Sequence, residues 1–363
     1  MIQRIYQIKR ALPELFELEK LIDTGHQHLR VSVAADISFD DAQLPASLTL
    51  PFYVLETGSD APLAPTLVLI GGVHGIERIG TQVILSFLRT LLRRLEWDPA
   101  IHEQLAQVRL VMIPLVNPGG MWRNTRANPN GVDLMRNAPV EAQHNTLLVG
   151  GQRLSKHLPW YRGKKGAPME TENQALTETM RRVLTQQKHC ISLDCHSGFG
   201  SKDRIWFPYA KSLDPWPSIA EAYALTQLFE HTYPSHDVYL FEPQAHAYTT
   251  HGDIWDYLYD DYCARQPDGL YLPLTLEMGS WLWLRKNPRH LLRYHSFFNP
   301  MLPHRHQRIL RRHLTLFDFL LSAVRSMPGW APDNTHSKTL LHRRAIERWY
   351  PATLNSSPGN SQT

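Results

Sequence analysis

The sequence predicts an α/β protein built on a mostly parallel or mixed sheet that is covered on both faces. Two observations carry this. Apolar runs without polar alternation, TLVLIGG (66–72), RLVMIPL (109–115) and CISLDC (190–195), read as strands buried on both sides. Between and after them lie segments of helical periodicity near 78–95, 171–187 and 219–230, an alternation expected of strands covered by helices. A length of 363 residues fits one large domain with appendages, and ten Trp and fourteen Tyr supply ample core material.

Taken in order, residues 3 to about 24 read as an amphipathic helix. The runs 28–38 and 47–56, separated by a polar turn, read as a lead-in hairpin. Residues 1–60 are therefore expected to be an extension packed on a main domain of 61–330. GSDAPLAP (58–65) is a loop by composition. The turn-rich stretch 117–168 is too long for a plain connector, and such loops usually carry function. TLEMG (275–279) is a late strand, and 310–326 a final helix. Residues 331–363 read as a polar tail whose last ten or so residues are expected to be disordered.

Lys plus Arg exceed Asp plus Glu by 38 to 34, too small a margin for a nucleic-acid partner. The densest basic stretch, HRHQRILRRH (304–313), reads as a solvated helix face. The N-terminus lacks the uninterrupted apolar core of a secretory signal, and no run of 18 apolar residues suggests a membrane span. Cys190, Cys195 and Cys263 suggest neither a disulfide framework nor a thiolate metal site. Cytoplasmic residence is the expectation, and the oligomeric state is not readable.

Chemistry concentrates at three strand ends. GGVHGIE (71–77) delivers His74 and Glu77 where ligands bind in α/β sheets. Imidazole nitrogen and carboxylate oxygen are both zinc donors, and a tight turn or first helical turn can aim residues three apart at one point. CISLDCHSGFG repeats the design at His196, which supplies the third ligand of a catalytic zinc and leaves the fourth position for water. LTLEMGS places Glu277 at another apolar strand end, where a carboxylate beside activated water would serve as general base.

The order of these pieces resembles the zinc carboxypeptidase family (carboxypeptidase A-like). The matching segments are HGIE (74–77), VNPGG (116–120), WRNTR (122–126), GVDLMRN (131–137), His196 and Glu277. The resemblance implies a three-layer α/β/α sandwich around a mixed, mostly parallel sheet of about eight strands. It implies one Zn2+ held by His74, Glu77 and His196, with Arg123 polarising the scissile carbonyl and Arg136 gripping the substrate's terminal carboxylate. Asp133 would orient His74. Tyr248, in AYTTHGDIW, resembles the family's capping tyrosine, with Tyr257 and Tyr259 as competitors, and His246 and His251 read as polar loop residues. The chain departs from the family in carrying Met135 where asparagine precedes the carboxylate-binding arginine, which removes a donor from that pocket. Lys164 and Lys165 would add positive charge near the substrate.

The implied activity is removal of a C-terminal residue from a peptide. The alternatives are deacylation of small N-acyl amino acids, in the manner of the desuccinylase and aspartoacylase group, and a metal-binding module without catalysis.

Overall fold

Six residues without polar alternation, Thr66–Gly71, form a strand buried along its whole length, and the sheet grows outward from it on both sides. The computed structural model describes residues 8–41, 44, 46–144, 148–185, 187–279, 297–300 and 302–351. Within them the strands are β1 (Arg30–Phe39), β2 (Leu48–Gly58), β3 (Thr66–Gly71), β4 (Arg109–Ile113), β5 (His189–Ser197), β6 (Asp203–Phe207), β7 (Tyr239–Pro243) and β8 (Leu270–Met278). They form one eight-stranded sheet in the order β1-β2-β4-β3-β5-β8-β6-β7. The central pairs β4/β3, β3/β5 and β5/β8 are parallel, as is β6/β7; β1/β2, β2/β4 and β8/β6 are antiparallel.

The helices are α1 (Pro13–Thr24), α2 (Arg78–Arg94), α3 (Pro99–Leu105), α4 (Pro118–Arg123), α5 (Thr171–Leu184), α6 (Ile219–Thr232), α7 (Ile254–Arg265), α8 (Pro303–Arg325), α9 (Met327–Trp330) and α10 (Thr335–Trp349). α2 and α8 pack together against β3 and β5, and a T-shaped Phe87–Phe317 pair fills their contact. α5 and α7 pack on each other and reach β1 and β8 respectively. The expected sandwich around a mixed sheet is what the chain forms.

Several elements differ from the sequence expectation. The first helix is interrupted at Leu12, because Pro13 lacks an N–H and its ring disfavours helical geometry in the residue before it. The 28–56 hairpin is part of the main sheet: β2 pairs with β4 in register from Leu55↔Met112 to Gly58↔Arg109. The polar tail contains α10, started by an Asn334–Ser337 capping box and packed on α6 through buried Ala345 and Trp349. The last ten residues lie outside the described residues. The basic stretch 304–313 opens α8; His304, Gln307, Arg308 and Arg311 are exposed, but His313 is buried against the Tyr239 hydroxyl, 2.8 Å away.

Candidate metal centre and substrate cleft

Three parallel strands, β3, β5 and β8, end side by side, and the site is assembled just beyond them. β5 and β8 pair in a register that sets His196 directly opposite Glu277. The chain leaving β3 turns through Gly72–Glu77 into α2. Gly75 is required there: a Cβ on it would stand 2.1 Å from the Gly120 carbonyl carbon and 2.2 Å from the Met121 nitrogen. The GG of VNPGG is thus packed against the turn that carries His74 and Glu77, while the Asn117 side chain accepts from Gly120 N and donates to Val73 O.

His74, Glu77 and His196 each offer one donor atom within 4.8 Å of the others, and all three are buried. The two imidazoles meet edge to face with centroids 4.9 Å apart. Glu77 Oε2 accepts from Ser197 N at 2.9 Å and lies 3.2 Å from His196 Nδ1. Two nitrogens and a carboxylate converging at a strand edge are the donor set of a three-ligand zinc site. The fit is supported by orphaned atoms: His74 Nδ1 and Glu277 Oε2 are buried with no hydrogen-bond partner among the described residues.

Electrostatics separate the groups. Burial is the largest influence on Glu77 and would raise its carboxyl, yet His74, His196 and Arg126 together hold it well below the usual carboxylate range. Burial and then Arg126 push His74 well below its ordinary value, which keeps it a neutral donor. For His196 burial acts downward, but Asp194 and Glu77 carry it well above 6.5. Burial lifts Glu277 to about 8, assisted by Glu77 and opposed by His196 and Arg126.

The arginines are placed differently from the sequence expectation. Arg123, the last residue of α4, is exposed; it donates to Pro129 O at 2.7 Å and to Asp40 O, and sits over the Phe39 ring. The structure does not bring it to the cluster. Asn124 adopts the left-handed conformation (φ 55°) that closes α4 and reverses the chain, and Arg126 is the arginine turned inward. Its guanidinium donates to Asp133 Oδ2 at 2.9 Å and Glu77 Oε1 at 3.0 Å, and lies 2.6 Å from His74 Nε2.

Arg136 is buried where expected. It donates to Asp133 Oδ2 at 3.3 Å and to Val149 O at 3.0 Å. Gly252 (φ 70°) packs on its backbone, where a Cβ would meet Arg136 O at 2.0 Å. Asp133 therefore serves two arginines and caps Met135 N; its Oδ1 stands 3.8 Å from His74 Nδ1, too far for a hydrogen bond. Met135 and Tyr248 line the same cleft as His74, Arg126, Arg136, His196 and Glu277. Tyr248 leans on Trp206 and Phe199 with centroids 6.1 Å away in each case. Tyr257 is instead the partner of Arg181, and Tyr259 of Ser218, and neither lines the cleft. His246, at the end of a short 3-10 turn, meets Tyr350 edge to face, and His251 pairs with Glu141. Lys164 and Lys165 are exposed and do not line the cleft.

Two residues not singled out from the sequence belong to this region: Asp194 lies behind His196, and Trp255 behind Asp194. In Gly252-Asp253-Ile254, where the sequence leaves open whether an acidic or an apolar residue points into the pocket, Asp253 stands on the cleft wall with Oδ2 unpartnered among the described residues. Asp194 was findable, since residues two apart on a strand share a face. Phe298 and Asn299 tie down the surrounding turns: Asn299 bridges Ile76 O and Ile79 N, and Phe298 O accepts from Ser197 Oγ.

Fold and site together define a metal-centred α/β protein whose ligands come from adjacent strand ends. Residues 41–280 match the zinc carboxypeptidase family profile, well over half of the chain. Carboxypeptidase E of Caenorhabditis elegans is 29% identical over 142 residues, covering 32% of this chain and 30% of that protein. Mouse (Mus musculus) carboxypeptidase D is 25% identical over 223 residues, covering 56% of this chain and 15% of that protein. The matched region is thus under a third of the length of these curated relatives. Among solved structures, bovine thrombin-activatable fibrinolysis inhibitor in complex with tick carboxypeptidase inhibitor superposes with a TM-score of 0.59 at 20% identity, covering 84% of this chain and 93% of that one. Carboxypeptidase A from Helicoverpa armigera gives 0.55 at 16% identity, covering 82% and 71%. The chain belongs to the zinc carboxypeptidase family.

Proposed function

We propose that this protein removes C-terminal residues from peptides by zinc-dependent hydrolysis, with Glu277 as general base, Arg126 as the carbonyl-polarising cation and Arg136 as the carboxylate anchor. One observation carries the reading: Glu277, Arg126, Arg136 and Tyr248 line one cleft with His74 and His196. A module that only bound metal would need neither a glutamate whose buried Oε2 has no partner among the described residues nor a pair of inward arginines.

A bound Zn2+ supplies Lewis acidity and a water acidic enough to act at neutral pH. The protein's own residues do the rest. Glu277 takes a proton from the attacking water and returns it to the leaving amine. Arg126, held by Asp133 and Glu77, offers fixed N–H donors to the developing oxyanion. Arg136 donates to the terminal carboxylate, and Tyr248 closes over the substrate. Met135 in place of asparagine leaves Arg136 to do this with one donor fewer.

Asp253, Thr250, Gln244 and Thr275 form polar wall around the cleft, which favours a basic or polar terminal side chain over an aliphatic one. Three free thiols support a reducing compartment, and no described helix is long and apolar enough to cross a membrane. The test is a panel of N-blocked dipeptides and N-acyl amino acids, assayed with and without a chelator. Chelator-sensitive release of a terminal residue, fastest for basic side chains, is expected; turnover confined to N-acyl amino acids would replace this reading with deacylation.

A further inference from the structure

The two candidate histidine ligands are held in different ways. His74 has its Nδ1 without a partner among the described residues and its Nε2 against the Arg126 guanidinium. His196 is committed at both nitrogens. Its Nδ1 faces Glu77 Oε2 and the cluster, while its Nε2 lies 2.6 Å from Asp194 Oδ2. Asp194 precedes it by two residues on β5, so both side chains leave the same face of the strand.

Asp194 is wholly buried (0% exposed), and no arginine or lysine pairs with it among the described residues; Oδ2 also accepts from Trp255 Nε1 at 2.9 Å, and Oδ1 has no partner. A buried carboxylate in these surroundings is costly unless it holds something. Trp255 is itself 3% exposed and sits in the first turn of α7, two residues after the Asp253 cap that accepts from Trp255 N at 2.9 Å. An indole N–H, a carboxylate and an imidazole thus form a line running from the start of α7 to the metal cluster.

We infer that Asp194 is the positioning residue for His196: it accepts the Nε2 hydrogen, fixes the tautomer and ring plane that aim the Nδ1 lone pair at the metal, and is itself oriented by Trp255. This rests on the reading that His74, Glu77 and His196 hold zinc. Asp133, the carboxylate that the family resemblance assigns to His74, is engaged by two arginines instead, so the carboxylate-to-imidazole hydrogen bond of this site belongs to the other histidine. Carboxylates and carbonyls behind a metal-bound histidine typically contribute 10- to 100-fold in metal affinity.

The test uses the full-length protein and its Asp194→Asn, Trp255→Phe and His196→Ala variants. Zinc affinity is measured by competition with a chromophoric chelator, and the visible spectrum of the Co2+-substituted protein is recorded alongside. Asp194→Asn is expected to weaken zinc binding roughly 10- to 100-fold, with a shifted Co2+ spectrum. Trp255→Phe, which removes the indole N–H together with part of the ring, is expected to weaken binding several-fold in the same direction. A purely packing role would lower thermal stability while leaving both metal readouts as in the parent. The inference is overturned if Asp194→Asn and Trp255→Phe, each folded by circular dichroism, bind zinc and cobalt like the parent while His196→Ala does not. Should Asp194→Asn fail to fold, Trp255→Phe decides on the same readouts. A parent protein that binds no zinc would sink the metal reading itself, a distinct result.

Discussion

The candidate metal donors and the groups proposed to face the substrate are built on opposite structural terms. His196 and Glu277 stand at the ends of β5 and β8, paired in a parallel ladder, and His74 and Glu77 in the tight turn that leads from β3 into α2, closed against Gly120 and Met121. Arg126, Arg136 and Met135 stand in irregular chain between α4 and α5, shaped by a left-handed Asn124, a short 3-10 turn and the Asp133 carboxylate. A strand end fixes where a side chain points to within a residue. A loop does not, and one reversal exchanges one arginine for another three positions along.

The largest expected effect removes the rigid half. His196→Ala or Glu77→Ala should abolish measurable hydrolysis together with stoichiometric zinc, read by metal analysis of dialysed protein. Glu277→Gln should keep its zinc and lose about 10^2- to 10^4-fold in kcat; a variant with parental turnover would remove Glu277 from the mechanism.

The loop half is tested by its two arginines. Arg126→Ala should cost about 10^2- to 10^3-fold in kcat, whereas Arg123→Ala, altering an exposed contact with Pro129 and Asp40, should stay within about threefold. The reverse ranking would return the carbonyl-polarising role to Arg123. Arg136→Ala should raise KM by about 10- to 100-fold, since losing a hydrogen bond to a charged group is worth about 1.5–3 kcal/mol, with less change in kcat.

The smallest effect is in the pH profile. Glu277 is a base only when deprotonated, and burial places its carboxyl at about 8. kcat/KM should therefore rise with pH along an acidic limb, and the positive charge of a bound dication draws that limb below 8. Profiles between about pH 5 and pH 9 should show this limb in the parent and lack it in Glu277→Gln.

The same contrast explains what could be read from the chain. Buried central strands announce themselves as unbroken apolar runs, so β3, β4, β5 and the end of β8 were legible, and with them the four strand-end residues. β6 and β7 were not: DRIWF and YLFEP are five residues each, and their charges are spent on tertiary partners, Asp203 on Arg312 and Arg204 on Glu242. α10 was obscured by its polar composition, because only Ala345 and Trp349 of it are buried. WRNTR contains one arginine turned toward the cleft and one turned away, and the left-handed Asn124 between them is not legible from the sequence. Asp194 was visible as the D of DCH, but its work depends on Trp255, 61 residues away.

One contact behind the metal cluster bears on handling this protein. Glu14 in α1, 3% exposed, receives Arg78 at 2.5 Å and Gln82 at 2.9 Å, and Arg78 also grips Ala11 O and Met121 O. Arg78 follows Glu77 directly, so the opening helix acts as a latch on the very turn that presents two of the metal donors. Trimming or proteolytic nicking of this leading segment should release metal while the eight-stranded sheet stays intact.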